Sequence, residues 1–225
     1  MSESDFDQEK NTLAYSFYSI LYGPLALLNL IAVWRGSIGK QLVHYQNSLE
    51  LSKGDILDTA IGDGSLSALV YNKFRKKNEE NKNRFCIGLD ISPDMLRKAE
   101  VQFAPVVRKS LRFLLLRADA KALPFSDRCF NQVFCYGGLH SIPAPEKVLK
   151  EFFRALRPGG FFAGSVLLTP RGWLGKKLAG KYLEWGTLSN DFSFGDVEKL
   201  FISSGFTDLL LEKNGETLLI RAKKP

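Results

Sequence analysis

The segment "DILDTAIGDGSLS", residues 55–67, passes from a short apolar run into two glycines, Gly62 and Gly64, that flank an aspartate, and then into residues with helical spacing. A strand, a glycine turn and a helix in that order make the first βα turn of a parallel sheet. Glycines there let a ligand approach the backbone closely, and the following helix presents its first N–H groups to an anionic moiety. Outward from this turn the same alternation repeats. "FCIGLD", "LRFLLLRAD", "CFNQVFCYGG" and "FFAGSVLL" read as four more strands. Between them lie helical segments. "SLSALVYNKFRKK" puts Leu66, Leu69, Val70 and Phe74 on one face, and "SPDMLRKAEVQFA" opens with Ser92 as N-cap and Pro93 at the first position. "APEKVLKEFFRALRPGG" runs from Pro145 to a stop at Pro158, Gly159 and Gly160. "NEENKNR" is a solvated loop. "FSFGDVEKLFISSGF" is a last helix, and "TDLLLEKNGETLLIRAK" is a hairpin hinged at Asn214-Gly215.

This order predicts an α/β fold: a doubly wound, mostly parallel seven-stranded sheet with an antiparallel terminal hairpin strand. Residues 1–45 form an N-terminal helical cover or lid over residues 46–225, the ligand-binding domain. At 225 residues, 45% hydrophobic and 12% aromatic, the chain can bury a substantial core. Its 31 Lys+Arg against 24 Asp+Glu give a net charge of +7 and a pI near 9.3, open to nucleic acid or to an anionic membrane. Cys86, Cys129 and Cys135 sit in apolar segments without CxxC spacing, as structural thiols in a reducing compartment do. The polar, acidic start "MSESDFDQEK" differs from a signal peptide, so a cytoplasmic location is expected, with peripheral membrane contact left open. The apolar run 23–34 is too short to span a bilayer.

In a doubly wound sheet the ligand sits at the carboxyl ends of the strands. A nucleoside triphosphate would need GxxxxGK[ST], and no lysine follows these glycines closely. A dinucleotide would want GxGxxG, but Ser67 holds the third position, and Asp58 and Asp63 would repel a pyrophosphate. S-adenosyl-L-methionine carries an ammonium and a sulfonium, so acids near the turn help, while the helix N-terminus takes its carboxylate. Asp90, the last residue of the second strand, can accept both ribose hydroxyls. Asp119, after the third, suits the adenine amino group. Each acid alone reads equally well as a turn or helix-start aspartate; three acids at consecutive strand ends favour one adenosyl site.

With these motifs in view, "DILDTAIGDGS", "IGLDISPDML", "RADAKALPFSDRCFNQVF" and "LRPGGFF" resemble, in order, the motifs of class I S-adenosylmethionine-dependent methyltransferases, especially the small-molecule branch that includes the ubiquinone/menaquinone C-methyltransferases. The resemblance covers residues 54–168 and implies the Rossmann-like methyltransferase fold. It implies that Asp58, Ala60, Gly62 and Gly64 line the methionine end of the cofactor. Asp90 would hold the ribose, Ile91 and Met95 would pack on adenine, and Asp119 with the backbone of Ala120 would meet the adenine edge. Ala60 stands where the family has its first glycine, and Asn131 where it has an aspartate.

Methyl transfer from a sulfonium spreads charge, so orientation and proximity do most of the work, with a base if the acceptor must lose a proton. The acceptor is expected over "CYGGLHSIP", where Tyr136 and Gly137 border cofactor and acceptor alike and Gly138 adds to the wall. Tyr136 and His140 are the catalytic candidates there; a loop histidine that only shapes the pocket is the competing reading, and His44 reads as structural. The aromatic stretch 13–34 is read as an apolar lid or as a helix covering the sheet edge. "RGWLGKKLAGKYLEW", residues 171–185, mixes apolar, aromatic and basic residues as interfacial helices do, pointing to an anionic membrane or a lipophilic acceptor; a solvated helix with a packed inner face is the alternative. The expected partner is a small-molecule acceptor. An RNA or DNA methyltransferase is the second reading, weakened by scattered basic residues and the absence of an Asn/Asp-Pro-Pro-aromatic motif. A non-catalytic cofactor-binding protein is the third. No metal site is expected, and oligomeric state is beyond the sequence.

Overall fold

Alternation along each strand sends neighbouring side chains to opposite faces of a sheet, and the chain uses both faces. In a computed structural model, residues 32–51, 54–77, 84–107 and 112–225 are described. The first described helix is α1 (Ile38–Glu50), followed by β1 (Ile56–Thr59), α2 (Ser65–Lys77), β2 (Phe85–Asp90), α3 (Pro93–Val107), β3 (Arg112–Arg117) and β4 (Phe130–Tyr136). A 3₁₀ turn (Leu139–Ser141), α4 (Pro145–Ala155), β5 (Leu156–Leu167), α5 (Trp173–Glu184), α6 (Phe194–Ser203), β6 (Thr207–Asn214) and β7 (Thr217–Lys223) complete it. The strands form one sheet in the order β3-β2-β1-β4-β5-β7-β6. All pairs from β3 to β5 are parallel, and β7 is antiparallel to both β5 and β6. The expected α/β class, strand number and hairpin strand are all present.

Along β1, Ile56 faces a core shared with Tyr45 and Leu49 of α1, Val70 and Tyr71 of α2, and Phe103 of α3. Leu57 faces the other side, where Val148 and Phe152 of α4 pack with Val197 and Phe201 of α6. β4 repeats the pattern, with Val133 and Cys135 on the second face and Phe134 on the first. The strand order reverses between β1 and β4, so their carboxyl ends open the crevice in which such sheets hold ligands.

Three local expectations shift. The helix from Pro145 ends at Ala155, not at the Pro-Gly-Gly run; Leu156 is already extended, at φ −71° and ψ 140°. Arg157 precedes a proline and is thereby pushed out of helical conformation, which stops α4 early. Asn131 falls at a register shift between Phe130 and Gln132, inside β4, and its amide oxygen accepts from Arg157 Nη1 at 2.8 Å. On α2 the buried residues are Ser67, Ala68, Val70 and Tyr71, while Leu69 is exposed. The inward face is therefore offset from the expected one, and the side chain of Phe74 lies outside the described residues.

The described part of the N-terminal cover is fastened to the terminal hairpin. Ser37, the N-cap of α1, donates its N–H to Asn214 Oδ1 and accepts from Asn214 Nδ2, both at 2.9 Å. Trp34 donates its indole N–H to the Leu168 carbonyl at 2.9 Å, and its own carbonyl accepts from Glu216 N at 2.7 Å. α1 runs without a break through residue 45, the expected boundary. Most of the stretch read as a lid, and the "NEENKN" part of the solvated loop, lie outside the described residues.

Candidate active site

The turn after β1 is built from left-handed backbone. Ala60, Gly62 and Gly64 stand at φ +51°, +59° and +76°, conformations that glycine adopts freely and alanine only under strain. Gly64 has no room for a side chain: a Cβ there would press on Ala99 and Phe103 of α3. The Ala60 methyl occupies the space that a Cβ on Gly138 would need, so the first glycine of the usual pattern has in effect moved across the crevice. Gly137, at φ +82°, faces open space. Asp63 accepts from Ser65 N at 3.0 Å and caps the start of α2.

Asp90 is the best-prepared polar group at this edge. It is 9% exposed, and its two oxygens accept the Gly62 N–H at 2.8 Å and the Ser92 N–H at 2.9 Å. The carboxylate thus braces the glycine loop and the start of α3 together and keeps further lone pairs for ligand hydroxyls. Burial raises its pKa, opposed by those backbone bonds. Ser92 caps α3 by accepting from Met95 N at 3.3 Å. Met95 is buried and Ile91 partly exposed, its carbonyl accepting from Arg117 Nε at 3.2 Å. Asp119 accepts from Lys121 N at 2.8 Å with Lys121 Nζ 3.8 Å away, and Ala120 is buried beside it.

Asp58 points away from the crevice, into the core under α1. It accepts from the phenol of Tyr45, whose oxygen also lies 3.1 Å from Ser67 Oγ. Burial pushes its pKa up to about 7 against the pull of those two hydroxyls. Tyr45 stacks on Tyr136, centroids 4.0 Å apart. The Tyr136 hydroxyl in turn lies 2.9 Å from His44 Nδ1. Burial and the charge of Arg221 hold the His44 pKa down to about 4, and burial raises that of the Tyr136 phenol. The neutral imidazole and the firmly protonated phenol share this one hydrogen bond, whose direction follows the His44 tautomer. His44 is therefore part of this edge, and its place was hidden in the sequence because its partner lies 92 residues away.

His140 is held differently from a free base. It is 6% exposed, its Nδ1 accepts the Leu167 N–H at 3.3 Å, and burial lowers its pKa to about 3. That bond puts the ring proton on Nε2, leaving no lone pair to take a proton from an acceptor. The His140 carbonyl accepts from Ser189 and Asn190 N–H groups, tying the turn after β4 to the segment after α5.

A family model described as "Methyltransferase domain" matches residues 56–160, the span from β1 into the first residues of β5. Residues 56–160 thus carry a methyltransferase domain. Relatives of this chain include a ubiquinone/menaquinone biosynthesis C-methyltransferase from Rickettsia felis, 29% identical over 63% of this chain and 53% of its own. A demethylmenaquinone methyltransferase from Thermus thermophilus is 37% identical over 50% of this chain and 47% of its own. The chain spans about half the length of the curated relatives it matches. Its fold also matches a Haemonchus contortus phosphoethanolamine N-methyltransferase solved with S-adenosyl-L-methionine, at TM-score 0.68 and 17% identity, covering 84% of this chain and 53% of that one.

The family's cofactor fits the residues present. Asp90 offers a buried carboxylate with unused lone pairs, Gly137 leaves an unfilled wall, and Asp119 stands at the next strand end. Among the described residues, no cluster of His, Cys, Asp and Glu is suited to a metal. All three cysteines are free thiols, with Cys86 and Cys135 buried and pushed up to about 12 by burial. Cys129 is only partly buried.

Proposed function

We propose that the protein transfers the methyl group of S-adenosyl-L-methionine to a small, lipophilic acceptor of the quinone-precursor kind. The observation that carries the reading is Asp90, bound to the glycine loop through Gly62 and to α3 through Ser92, with lone pairs left over. When bound, the cofactor supplies an electrophilic methyl group; the chain's residues hold and orient it. In this reading Asp90 accepts the ribose hydroxyls, Asp119 and the Ala120 backbone meet adenine, and Ile91 and Met95 flank the ring. Gly62, Gly64 and Ala60 shape the methionine end. Asp58 acts on it indirectly, by fixing Tyr45 and through it the stacked ring of Tyr136.

Tyr136 and Gly137 border the acceptor, and with burial keeping the Tyr136 phenol protonated and His44 fixing its hydroxyl, Tyr136 orients the acceptor and does not deprotonate it. His140 supports the turn. Proximity and alignment then supply most of the rate. The quinone-like acceptor is supported by the names of the two relatives above and by the aromatic character of this edge. A nucleic-acid acceptor is disfavoured by the acids that crowd it.

The test is calorimetry with S-adenosylmethionine, its demethylated product and NAD, followed by incubation with labelled donor and a lipid-plus-metabolite extract and mass spectrometry of the product. Asp90→Ala is expected to weaken cofactor binding about 10- to 100-fold, the worth of charge-assisted bonds to a buried carboxylate. Unchanged affinity in that variant removes the ribose assignment.

A further inference from the structure

α5 carries its apolar residues outward. Trp173 is 77% exposed, Leu174 54% and Trp185 47%. At about 100° per residue, Trp173, Lys177, Lys181, Leu174 and Trp185 fall within roughly a third of the helix circumference. Lys176 flanks that arc. Ala179 faces the opposite way and packs with Trp34 and Leu188, while Tyr182 meets the Trp34 ring at 5.8 Å. The helix is thus anchored by one side and presents two indoles, a leucine and lysines on the other, with one acid, Glu184, among them. Among the described residues, Lys176, Lys177 and Lys181 take part in no ion pair with a carboxylate.

We propose that α5 is a peripheral membrane-binding face that takes an anionic lipid surface. Indoles and leucine enter the interface while lysines pair with headgroup charge, the division of labour of in-plane helices. The position supports it. The residues after α5 are bound to the turn after β4: Ser141 Oγ donates to the Thr187 carbonyl at 2.9 Å, and Asn190 Nδ2 to the Ile142 carbonyl at 2.8 Å. A membrane under α5 therefore lies at the rim of the acceptor side. Single-stranded nucleic acid also likes aromatic and basic residues, but a polyanion extended from α5 toward the crevice would meet Asp90 and Asp119. A second copy of the chain would bring lysine against lysine.

The test is flotation of the full chain with phosphatidylcholine vesicles, alone and with a quarter phosphatidylglycerol, at low and high salt. Binding is expected only with the anionic vesicles, weakening with salt. At about fivefold per lysine, the triple variant Lys176→Ala/Lys177→Ala/Lys181→Ala is expected to lose about 100-fold in partitioning. Trp173→Ala/Leu174→Ala is also expected to weaken it, with thermal unfolding and cofactor binding unchanged in both variants. Tryptophan emission is expected to shift to the blue on anionic vesicles and not with inorganic phosphate, since Trp34 is already buried. The proposal is overturned by no flotation, by equal flotation with neutral vesicles, by an unaffected triple variant, or by lysine-dependent binding of an oligonucleotide in place of vesicles. None of these results touches the cofactor assignment.

Discussion

Ala60 holds a left-handed backbone and fills the space opposite Gly138, so the two positions are expected to be coupled. Gly138→Ala is expected to cost about 1–3 kcal/mol through overlap with the Ala60 methyl and Cys135 Sγ. Ala60→Gly alone is expected to stay within about 1 kcal/mol, since relief of the left-handed alanine is offset by a more flexible unfolded chain. The double variant is expected to recover much of the loss, and urea unfolding of all four proteins gives the coupling directly. At this scale the sequence showed which residues carry charge at strand ends but not how each side chain is used. Asp90 stands at the edge because it is the last residue of β2, and Asp119 because it follows the end of β3 by two residues. Asp58 sits one position before the end of β1, and strand alternation sends it into the core. The engagement of His44 and Tyr45 depends on where α1 docks, which no local spacing reveals.

At the scale of elements, α1 rests on a clamp between residues 177 positions apart. Asn214→Ala removes both bonds to Ser37 and is expected to cost about 1–3 kcal/mol by leaving partly buried backbone groups unpaired. Hydrogen exchange is expected to quicken in α1 before it does in β1 or β4. The hairpin that carries Asn214 was legible as Asn-Gly between apolar runs, yet the loop itself is Gly215 and Glu216, with Asn214 paired to Thr217. Gly215 at φ +67° takes the first loop position, as type II′ hairpins place it, which frees the Asn214 side chain to hold α1. The starts of α3 and α4 were readable because Pro93 and Pro145 announce them; the end of α4 was not, because Arg157 before Pro158 acts earlier than the glycines. The offset on α2 arises because three elements compete for its inner face, and Tyr71 fills more of the core than Leu69 would.

For the whole molecule, both histidines of the chain are neutral, His140 buried and His44 partly buried. His140 has a folded pKa near 3 and His44 near 4, against an ordinary value of 6.5. The unfolded chain binds protons there first, so each contribution is lost as pH falls below about 6.5. Asp58 and Asp90 are raised and act in the opposite sense: their contribution is lost as pH rises, for Asp58 from its ordinary 3.8 toward about 7. Comparing wild type with His140→Gln separates the two. Wild type is expected to lose stability relative to the variant by up to about 1.4 kcal/mol per pH unit between pH 6 and 4, measured by urea unfolding at each pH. The architecture itself was legible because strand-helix alternation leaves few ways to connect a parallel sheet.

The place of β7 in that sheet has a consequence for how the chain is made. It is synthesised after β6 yet inserts between β6 and β5. Until residues 217–223 have left the ribosome, β5 carries an open row of backbone donors and acceptors beside Phe162 and Val166, a template for pairing with another nascent chain. The hairpin loop and strand just before it hold the N-terminal part of the chain: Glu216 N donates to the Trp34 carbonyl, and Asn214 holds Ser37. The sheet edge and α1 are therefore closed in one late step, and the interval before it is when this chain most needs shielding.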